Sequence, residues 1–306
     1  MATDLRKAYG EELVRLGAEN SKILVFEADL SRSTFGCLFG EKYPERFFDV
    51  GIAEANMISA AAGAATAGFI PFASSFAVFA TGRAYDQVRV SVCLSNLNVK
   101  ICGSSAGMSD SGDGGTHQSI DDIALMQVLP NMSVFVPADA EQTRQIMRYM
   151  ANTKGPMYIR VSRQLLPEIQ GTDQFTPGKV YTLREGTDAS IIACGSMVAK
   201  ALEAAKLLEE KGISVAVANA PSIKPINRDD VLALAKCGRV VTAEEHSVIG
   251  GLGDAVSRAV EDQIAVKIAR VGVQDRFGQS AYTVDELLDE YGLTSAKIAD
   301  EVLRIL

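Results

Sequence analysis

The order of apolar and polar positions divides the first half of the chain into alternating strand-like and helix-like segments. Five short apolar runs have the length of buried strands: 22–28, 69–73, 99–103, 133–136 and 157–161. Around them, apolar residues recur at helical spacing in five segments: 4–16, 53–68, 83–94, 120–129 and 140–152. Apolar strands separated by helices are typical of a parallel sheet covered on both faces.

The alternation stops between residues 166 and 187 and then resumes. This stretch contains Pro167, Gly171 and Pro177, so we predict a linker there, between a first domain at 1–165 and a second at 188–306. Beyond it, four strands are predicted at 189–193, 214–218, 240–242 and 266–271, and five helices at 198–211, 228–235, 253–262, 284–291 and 295–306. The predicted fold class is α/β, with two tandem domains that each hold a mostly parallel sheet flanked by helices.

Residues 55–82 contain no charged side chain, which raises the question of a membrane span. Ala and Gly dominate this stretch, Leu is absent, and Pro71 interrupts it, whereas a spanning helix needs sustained strong hydrophobicity. We therefore expect no membrane insertion. The segment instead predicts a tightly packed buried helix, followed by the strand at 69–73 and an irregular loop.

Composition excludes several classes of protein. Of the 306 residues, 47% are hydrophobic and 22% are charged, which is typical of a globular chain and not of a disordered one. The net charge of -8 argues against nucleic acid as a partner. The five cysteines are scattered and form no C-x-x-C, so neither disulfides nor a zinc ribbon are expected. Together with an N-terminus that does not resemble a signal peptide, they predict a cytoplasmic location.

Two glycine-rich segments each admit two interpretations. Residues 112–115 could cradle a phosphate or metal, although Gly and Asp in this order more often form a tight turn. Residues 251–256 are half of a dinucleotide fingerprint, but Val256 stands where a small residue belongs, and Arg270 lies where an acidic partner would be. We interpret the second segment as the start of a helix and do not expect NAD binding.

A few side chains are candidates for chemistry. His117 follows the strand at 99–103 in a polar, glycine-rich loop, where α/β sheets usually bind ligands, whereas His246 closes a strand and favours a structural role. Glu54 begins the uncharged helix; it either favours the helix dipole or is a carboxylate held in an apolar cleft. Phe76 and Phe79 are either core residues or a wall on which a flat heterocycle stacks.

Taken together, these segments resemble the transketolase family of thiamine-diphosphate enzymes, namely its pyrimidine-binding domain followed by its C-terminal domain. The resemblance covers essentially the whole chain and rests on segments in family order: 28–30, 49–54, 74–79, 112–118, 137–139, 160–167, 244–253 and 275–278. In that family, the diphosphate and Mg²⁺ are held by a further domain that carries a Gly-Asp-Gly followed by two asparagines. Here the only Gly-Asp-Gly is followed by the solitary Asn131.

The resemblance therefore implies the C-terminal subunit of a split transketolase, inactive alone. It implies an N-terminal partner subunit that carries the diphosphate-binding domain and holds most of the diphosphate and Mg²⁺, in an assembly of two copies of each chain. No metal ligand is expected on this chain. The implied reaction is transfer of a two-carbon ketol unit between sugar phosphates, and the implied cofactors are thiamine diphosphate and Mg²⁺.

The resemblance also implies individual roles. Glu54 would hydrogen-bond N1′ of the cofactor's aminopyrimidine and so promote removal of the thiazolium C2 proton. The other implied cofactor contacts are Asp29, Leu30, Ile52, Phe76 and Phe79. His117 would contact the donor ketose and assist proton transfer. The remaining implied substrate contacts are Asp113, for a hydroxyl, and Ser33 and Arg163, for phosphate.

Two departures from the family pattern and three rival functions remain open. Ser104 and Ser105 stand where many transketolases have a histidine, which weakens the phosphate prediction, although Arg32 could compensate. Ala53 and Ala55 around Glu54 are closer to split and deoxyxylulose-phosphate-synthase-like members. That synthase and the β-subunit of a 2-oxoacid dehydrogenase are rivals, against which the Thr-His-Gln loop, Arg163 and residues 275–278 favour transketolase. A non-catalytic scaffolding subunit is a third alternative; the presence of Glu54, His117 and Asp113 argues against it.

Overall fold

The computed structural model describes residues 2–306. The strands and helices of the first half, in chain order, are β1 (Ala2–Asp4), α1 (Leu5–Glu19), β2 (Ile23–Glu27), α2 (Ser31–Thr34), α3 (Cys37–Lys42), β3 (Phe47–Asp49), α4 (Glu54–Thr66), β4 (Ile70–Phe76), α5 (Tyr85–Gln87), β5 (Lys100–Ser104), α6 (Asp122–Gln127), β6 (Ser133–Phe135), α7 (Ala140–Asn152), β7 (Met157–Arg160) and β8 (Leu165–Pro167). Two π-helical segments, Phe79–Arg83 and Val88–Leu94, flank α5.

The second half repeats the alternation. Its elements are β9 (Tyr181–Arg184), β10 (Ala189–Ala193), α8 (Met197–Glu209), β11 (Val215–Asn219), β12 (Ser222–Lys224), α9 (Arg228–Ala235), β13 (Arg239–Ser247), α10 (Leu252–Val260), β14 (Lys267–Val273), α11 (Val284–Glu290) and α12 (Ser295–Ile305). The α/β class and the two tandem, mostly parallel sheets are confirmed.

The first sheet has seven strands in the order β12-β6-β7-β5-β4-β2-β3, and all of its pairs except β12–β6 are parallel. Every residue of β2, β5 and β7 is buried, as the continuous apolar runs predict. The carboxyl ends of β2, β4, β5 and β7 therefore share one edge, which is where such sheets bind ligands.

Two predicted boundaries in the first half, one of a strand and one of a helix, are wrong. The strand predicted at 69–73 runs on to Phe76, and the expected irregular loop is instead its last three residues. Ser74 can lie in this mostly buried strand because Tyr9 hydrogen-bonds it, Oη to Oγ, at 2.7 Å. The helix predicted at 83–94 begins at Phe79, through the first π-helical segment.

The second sheet has five strands in the order β14-β13-β10-β11-β9. β9 falls within the stretch predicted as a linker and pairs antiparallel with β11. β12 belongs to the second half of the chain but pairs antiparallel with β6 of the first sheet. Short edge strands of this kind depend on contacts between distant segments, so periodicity alone does not reveal them.

The Ala- and Gly-rich helix α4 is packed against the first sheet. Its buried residues Met57, Ile58, Ala61 and Ala62 belong to the largest hydrophobic cluster of the molecule. Within residues 2–306, no helix has both the length and the apolar character needed to cross a bilayer. The prediction of a buried helix holds for one face of α4 only, because Asn56, Ser59 and Gly63 on the other face are exposed.

The two halves meet at a buried polar junction. Arg160, at the end of β7, donates to Asp122 Oδ2 at 2.9 Å and to the backbone carbonyl oxygens of Ser119 at 3.1 Å and Glu245 at 2.9 Å. Tyr158 also donates to Asp122 Oδ2, at 2.7 Å. Burial opposes ionisation of Asp122, but the charge of Arg160 and the hydrogen bonds from Arg160 and Tyr158 together outweigh it and hold the pKa of Asp122 below its ordinary value.

The second glycine-rich segment starts a helix. The carboxylate of Glu244 accepts the N–H groups of Leu252 at 2.7 Å and Gly253 at 2.9 Å, so a side chain of the protein satisfies the N-terminus of α10. Burial raises the pKa of Glu244 to about 7. His246 is fully buried, its Nε2 lies 3.4 Å from the N–H of Ala124, and burial lowers its pKa to about 4. These contacts support a structural position for His246.

Candidate active site

Glu54 is the first residue of α4, and its side chain is only 1% exposed. The turn before it is tight, because Gly51 has a φ of 74° and donates its N–H to Asp49 Oδ1 at 3.0 Å. The same oxygen accepts the N–H of Asp29 at 2.9 Å. Asp49 thereby joins the loops that follow β2 and β3, and Glu54 is placed at the carboxyl edge of the first sheet.

Phe76 and Phe79 form an aromatic wall at this edge. Phe76 ends β4 and Phe79 begins the π-helical segment; their ring centroids are 6.1 Å apart and their planes differ by 12°. The ring of His117 meets both edge-on, with centroids 5.1 Å from Phe79 and 6.2 Å from Phe76. Phe76 is buried, whereas Phe79 is half-buried. The two rings therefore belong to a site as well as to the core.

Arg83 connects Glu54 with the wall, and the sequence interpretation missed it. Its Nη1 donates to both carboxylate oxygens of Glu54 at 2.9 Å, and its Cζ lies 4.2 Å from the centroid of the Phe79 ring. The Arg83 side chain is 49% exposed. A flat, cationic N–H donor thus stands between the buried carboxylate and an aromatic face.

His117 lies in the segment 105–121, which joins β5 to α6 and which we call the His117 loop. Its Nδ1 is 2.9 Å from Thr116 Oγ1. Asp113 is exposed, just before a single 3-10 turn that begins at Gly114, whose φ is 72°. The glycine-rich segment is thus a turn, and this turn places His117 against the aromatic wall.

The other predicted site residues lie at the same edge but apart from this group. Leu30 and Ser33 are half-buried at the start of α2, Asp29 is exposed, and Ile52 is 75% exposed. Arg163 follows β7 and donates to Asp110 Oδ2 of the His117 loop at 2.9 Å. Within residues 2–306, no hydrogen bond or ring contact joins these five or Asp113 to Glu54, Phe76, Phe79 or His117.

Three buried serine hydroxyls lie near the wall. Ser104 is paired with Phe76 in the sheet, and Ser75 and Ser105 are their chain neighbours. Among residues 2–306, their hydroxyl oxygens have no hydrogen-bond partner. Ser104 and Ser105 are the residues at the positions where the sequence analysis expected a family histidine. Buried hydroxyls without a protein partner suit a cleft that binds a polar ligand.

Two family models match this sequence, one for each domain. The family model of the transketolase pyrimidine-binding domain matches residues 1–168, and that of the transketolase C-terminal domain matches residues 178–298. The chain belongs to the transketolase family. The order of the two domains is the one that the sequence motifs predicted.

Transketolase-family relatives match nearly the whole chain. A protein of Methanocaldococcus jannaschii, whose proposed assignment is a transketolase C-terminal section, is 43% identical over 98% of this chain and 95% of its own length. The 6-deoxy-6-sulfo-D-fructose transketolase subunit SqwH of Clostridium sp. (strain MSTE9) is 43% identical over 96% of this chain and 92% of its own.

A solved structure shows the same architecture. A split-gene transketolase, described as an inactive β4 tetramer, superposes with a TM-score of 0.91 at 49% identity, over 100% of this chain and 99% of that one. These relatives support a transketolase-type enzyme role for a subunit of a split enzyme.

Proposed function

We propose that this chain is the C-terminal subunit of a thiamine-diphosphate- and Mg²⁺-dependent transketolase, which moves a two-carbon ketol unit from a ketose phosphate to an aldose phosphate. The observation that carries the proposal is the group formed by buried Glu54, the wall of Phe76 and Phe79, and His117 in a chain of this family. The enzyme would act in the cytoplasm, which agrees with five cysteines that are all free thiols.

The residues at the edge fit the pyrimidine half of the cofactor. The guanidinium of Arg83 shows that a flat, cationic group with N–H donors can lie between Glu54 and Phe79. When bound, thiamine diphosphate would supply the nucleophilic carbon that takes up the ketol unit. Glu54 would hold a proton at N1′ of the pyrimidine, and Phe76 and Phe79 would exclude water from the ring. Leu30, Ile52 and Asp29 would border the same cleft.

His117 and its loop would face the sugar. The imidazole lies against the wall with Nδ1 held by Thr116, so Nε2 is the nitrogen left to exchange a proton with a substrate hydroxyl. Asp113 would accept a hydrogen bond from another hydroxyl. Arg163, 41% exposed and paired with Asp110, and Ser33 would bind the phosphate.

The diphosphate and Mg²⁺ would be held by a separate subunit. Within residues 2–306, no group of three or more His, Cys, Asp or Glu side chains could hold a metal ion. Two relatives are themselves subunits of split enzymes, SqwH and the split-gene transketolase. We therefore propose an assembly of two copies of this chain with two of an N-terminal transketolase subunit.

Two donor ketoses are considered for the proposed reaction: xylulose 5-phosphate and 6-deoxy-6-sulfo-D-fructose. SqwH acts on 6-deoxy-6-sulfo-D-fructose and is as similar to this chain as the Methanocaldococcus protein, at 43% identity. A sulfonate and a phosphate are both anions with several acceptor oxygens, and Arg163 could bind either. The site thus favours a ketose that carries an anionic group at one end. The assay below distinguishes a phosphate from a sulfonate as that group.

The test is ketol transfer with the purified chain, alone and mixed with its co-purifying partner, in the presence of thiamine diphosphate and Mg²⁺. We expect transfer from xylulose 5-phosphate to ribose 5-phosphate only in the mixture, with 6-deoxy-6-sulfo-D-fructose as the alternative donor. Consumption of pyruvate without ketol transfer would favour the synthase or dehydrogenase function. Assembly with the partner but no turnover of any of these substrates would favour a scaffolding subunit.

Two variants test the assigned roles in the same mixture. Glu54→Ala is expected to abolish ketol transfer while the chain still folds and assembles, because the pyrimidine then lacks its carboxylate. His117→Ala is expected to lower turnover about 10²- to 10⁴-fold without changing assembly. Full activity of the first variant would refute the cofactor role, and an unchanged rate of the second would return His117 to a structural role.

A further inference from the structure

The segment 274–282, which we call the strap, crosses from the second domain to the His117 loop. It begins where β14 ends and contains residues 275–278, a motif that the proposed chemistry does not use. The strap has no regular secondary structure, so its course depends on its contacts. Those contacts lie at two places, α11 and the His117 loop.

At one end, the strap is fixed to the end of α11. Arg276 pairs with Glu290, Nη1 to Oε1, at 3.0 Å, and its guanidinium lies 3.9 Å from the centroid of the Tyr291 ring. Tyr291 Oη donates to the carbonyl oxygen of Phe277 at 2.7 Å. The strap is therefore anchored within its own domain before it reaches the loop.

At the other end, the strap binds the His117 loop through main-chain atoms. Gln118, next to His117, donates from Nε2 to the carbonyl oxygen of Gln279 at 2.9 Å. The N–H of Ala281 donates to the carbonyl oxygen of Ser111 at 3.0 Å. These two bonds hold the loop on both sides of its exposed tip at Asp113.

The two segments approach so closely that a side chain at Gly115 would meet backbone and one at Gly278 would displace the Gln118 amide group. A Cβ placed on Gly278 would lie 1.7 Å from Gln118 Oε1, and one placed on Gly115 would lie 2.5 Å from the carbonyl oxygen of Gly278. Real Cβ atoms do not approach other atoms so closely. Residues 275–278 thus combine an anchoring arginine with the glycine that lets the strap lie against the loop.

A second element of the same domain holds the beginning of the loop. Glu245, on β13 and 2% exposed, accepts the N–H of Met108 at 2.7 Å. The same carboxylate accepts hydrogen bonds from Ser196 and from Gln164 Nε2. Gly107 fits beneath it, since a Cβ there would lie 2.5 Å from Glu245 Oε1. The loop is therefore held near its start by Glu245 and around its tip by the strap.

We propose that Glu245 and the strap position the His117 loop, so that the second domain determines how tightly the donor sugar is bound. This inference rests on the proposed function, because it takes His117 and Asp113 as substrate contacts. A glycine-rich loop with one 3-10 turn has many accessible conformations, and a displacement of about 1 Å at a substrate contact can cost roughly 100-fold in rate. Glu245 and Gly278 are positioning residues, since neither touches the proposed substrate site.

Gly278→Ala is the main test, with two readouts. In the chain alone, we expect the amides of Gln118 and Ala281 to exchange hydrogen roughly tenfold faster, because the added methyl group displaces the Gln118 side chain that joins the strap to the loop. In the reconstituted enzyme, we expect KM for the donor ketose to rise about tenfold or more, while affinity for thiamine diphosphate stays unchanged. Glu54, Phe76 and Phe79 do not contact the strap.

Control variants separate positioning from general damage. Gly63→Ala adds the same methyl group where no atom lies within 4 Å apart from chain neighbours and the backbone of its own helix, and is expected to leave exchange in the loop unchanged. Glu245→Ala is expected to repeat the rise in KM, whereas Glu245→Gln keeps an oxygen for the Met108 N–H and should restore most of the affinity. If Gly278→Ala does not fold, the Glu245 pair decides the question.

The outcomes distinguish this inference from the proposed function. Faster loop exchange together with a raised KM supports the positioning role. Unchanged exchange and unchanged KM in both Gly278→Ala and Glu245→Ala would overturn it, even if the wild-type complex is an active transketolase. If the wild-type complex transfers no ketol unit, the proposed function fails and takes the substrate-binding part of the inference with it.

Discussion

Arg83 is the residue whose position has the largest consequence for the proposed site. Its guanidinium bonds both oxygens of Glu54 and covers Phe79, which is where the pyrimidine would lie. On the proposed function, the cofactor would displace this guanidinium. We expect Arg83→Ala to tighten thiamine-diphosphate binding in the reconstituted enzyme by about tenfold, since a charge-assisted hydrogen bond contributes about 1.5–3 kcal/mol.

The measurement for Arg83 is a calorimetric or fluorescence titration of the complex with the cofactor, beside a thermal scan of the chain alone. The same substitution leaves the buried Glu54 without its cation, so the melting temperature should fall. Arg83→Lys, which keeps the charge but not the planar fork, is the matched control. Weaker cofactor binding by Arg83→Ala would show that Arg83 helps to hold the cofactor instead.

Lys100 gives a prediction for the pH dependence of stability. It is fully buried on β5, where Nζ donates to the carbonyl oxygens of Thr153 at 2.7 Å and Gly155 at 2.8 Å. Burial lowers its pKa to about 7, from 10.5 when unfolded. Between these values the unfolded chain binds more protons than the folded one, so the contribution of Lys100 to stability rises with pH.

We expect the free energy of unfolding of the wild type to gain on the order of 2 kcal/mol between pH 7 and pH 9 relative to Lys100→Met. The variant has no amine to titrate, although it leaves two carbonyl oxygens without their donor and should be less stable overall. Urea unfolding of both proteins at pH 7, 8 and 9 measures the difference. Parallel pH profiles would show that Lys100 keeps its ordinary pKa.

The sequence singled out some residues of the candidate site and missed Arg83 for physical reasons. Glu54 stood out because it is a single charge beside a long uncharged stretch, and Phe76, Phe79 and His117 because they follow predicted strands. Arg83 did not stand out, because its partner Glu54 is 29 positions away in the sequence. In addition, an arginine at a helix start is usually exposed to solvent. Contacts across such separations depend on tertiary packing, which one sequence does not display.

At the scale of elements, burial decided which strands could be predicted. β2, β5, β7, β10 and β11 are buried at every position and read as apolar runs. β1, β8, β9 and β12 have three or four residues and lie at sheet edges or in the small two-stranded pair. Strands of that length are too short to carry a reliable period, so only their partners identify them.

The end of β7 carries a prediction about how elements are joined. Arg160 is 6% exposed and links α6, through Asp122, to β13, through the carbonyl oxygen of Glu245. Arg160→Met would leave a buried carboxylate without its cation, and the free energy of unfolding should fall by about 3–5 kcal/mol. Arg160→Met combined with Asp122→Asn removes the stranded charge and should recover part of the loss.

Chemical denaturation of the two variants and the wild type at pH 7 tests this. Additive losses in the double variant would contradict a direct coupling between Arg160 and Asp122. The comparison also separates the ion pair from the carbonyl contacts, because the double variant still lacks the donors to Ser119 and Glu245.

At the scale of the whole molecule, the two domains share a sheet and a core. β12 adds a second-domain strand to the first sheet, pairing Ser222 with Phe135. One hydrophobic cluster contains Val134 and Val136 of the first half together with Ile192 and Ile223 of the second. Domains joined in this way lose native contacts together, whereas independent domains unfold separately.

We therefore expect a single cooperative unfolding transition, with calorimetric and van't Hoff enthalpies that agree when the chain is measured at one fixed concentration. Ile223→Ala, at a buried position of β12, should lower the free energy of unfolding by about 2–5 kcal/mol. The transition should remain single, because the strand stabilises both halves at once. Two resolved transitions, of which the substitution moves only one, would show that the shared strand does not couple the domains. A single transition would mean that damage to the second domain also disturbs the edge that carries Glu54 and His117.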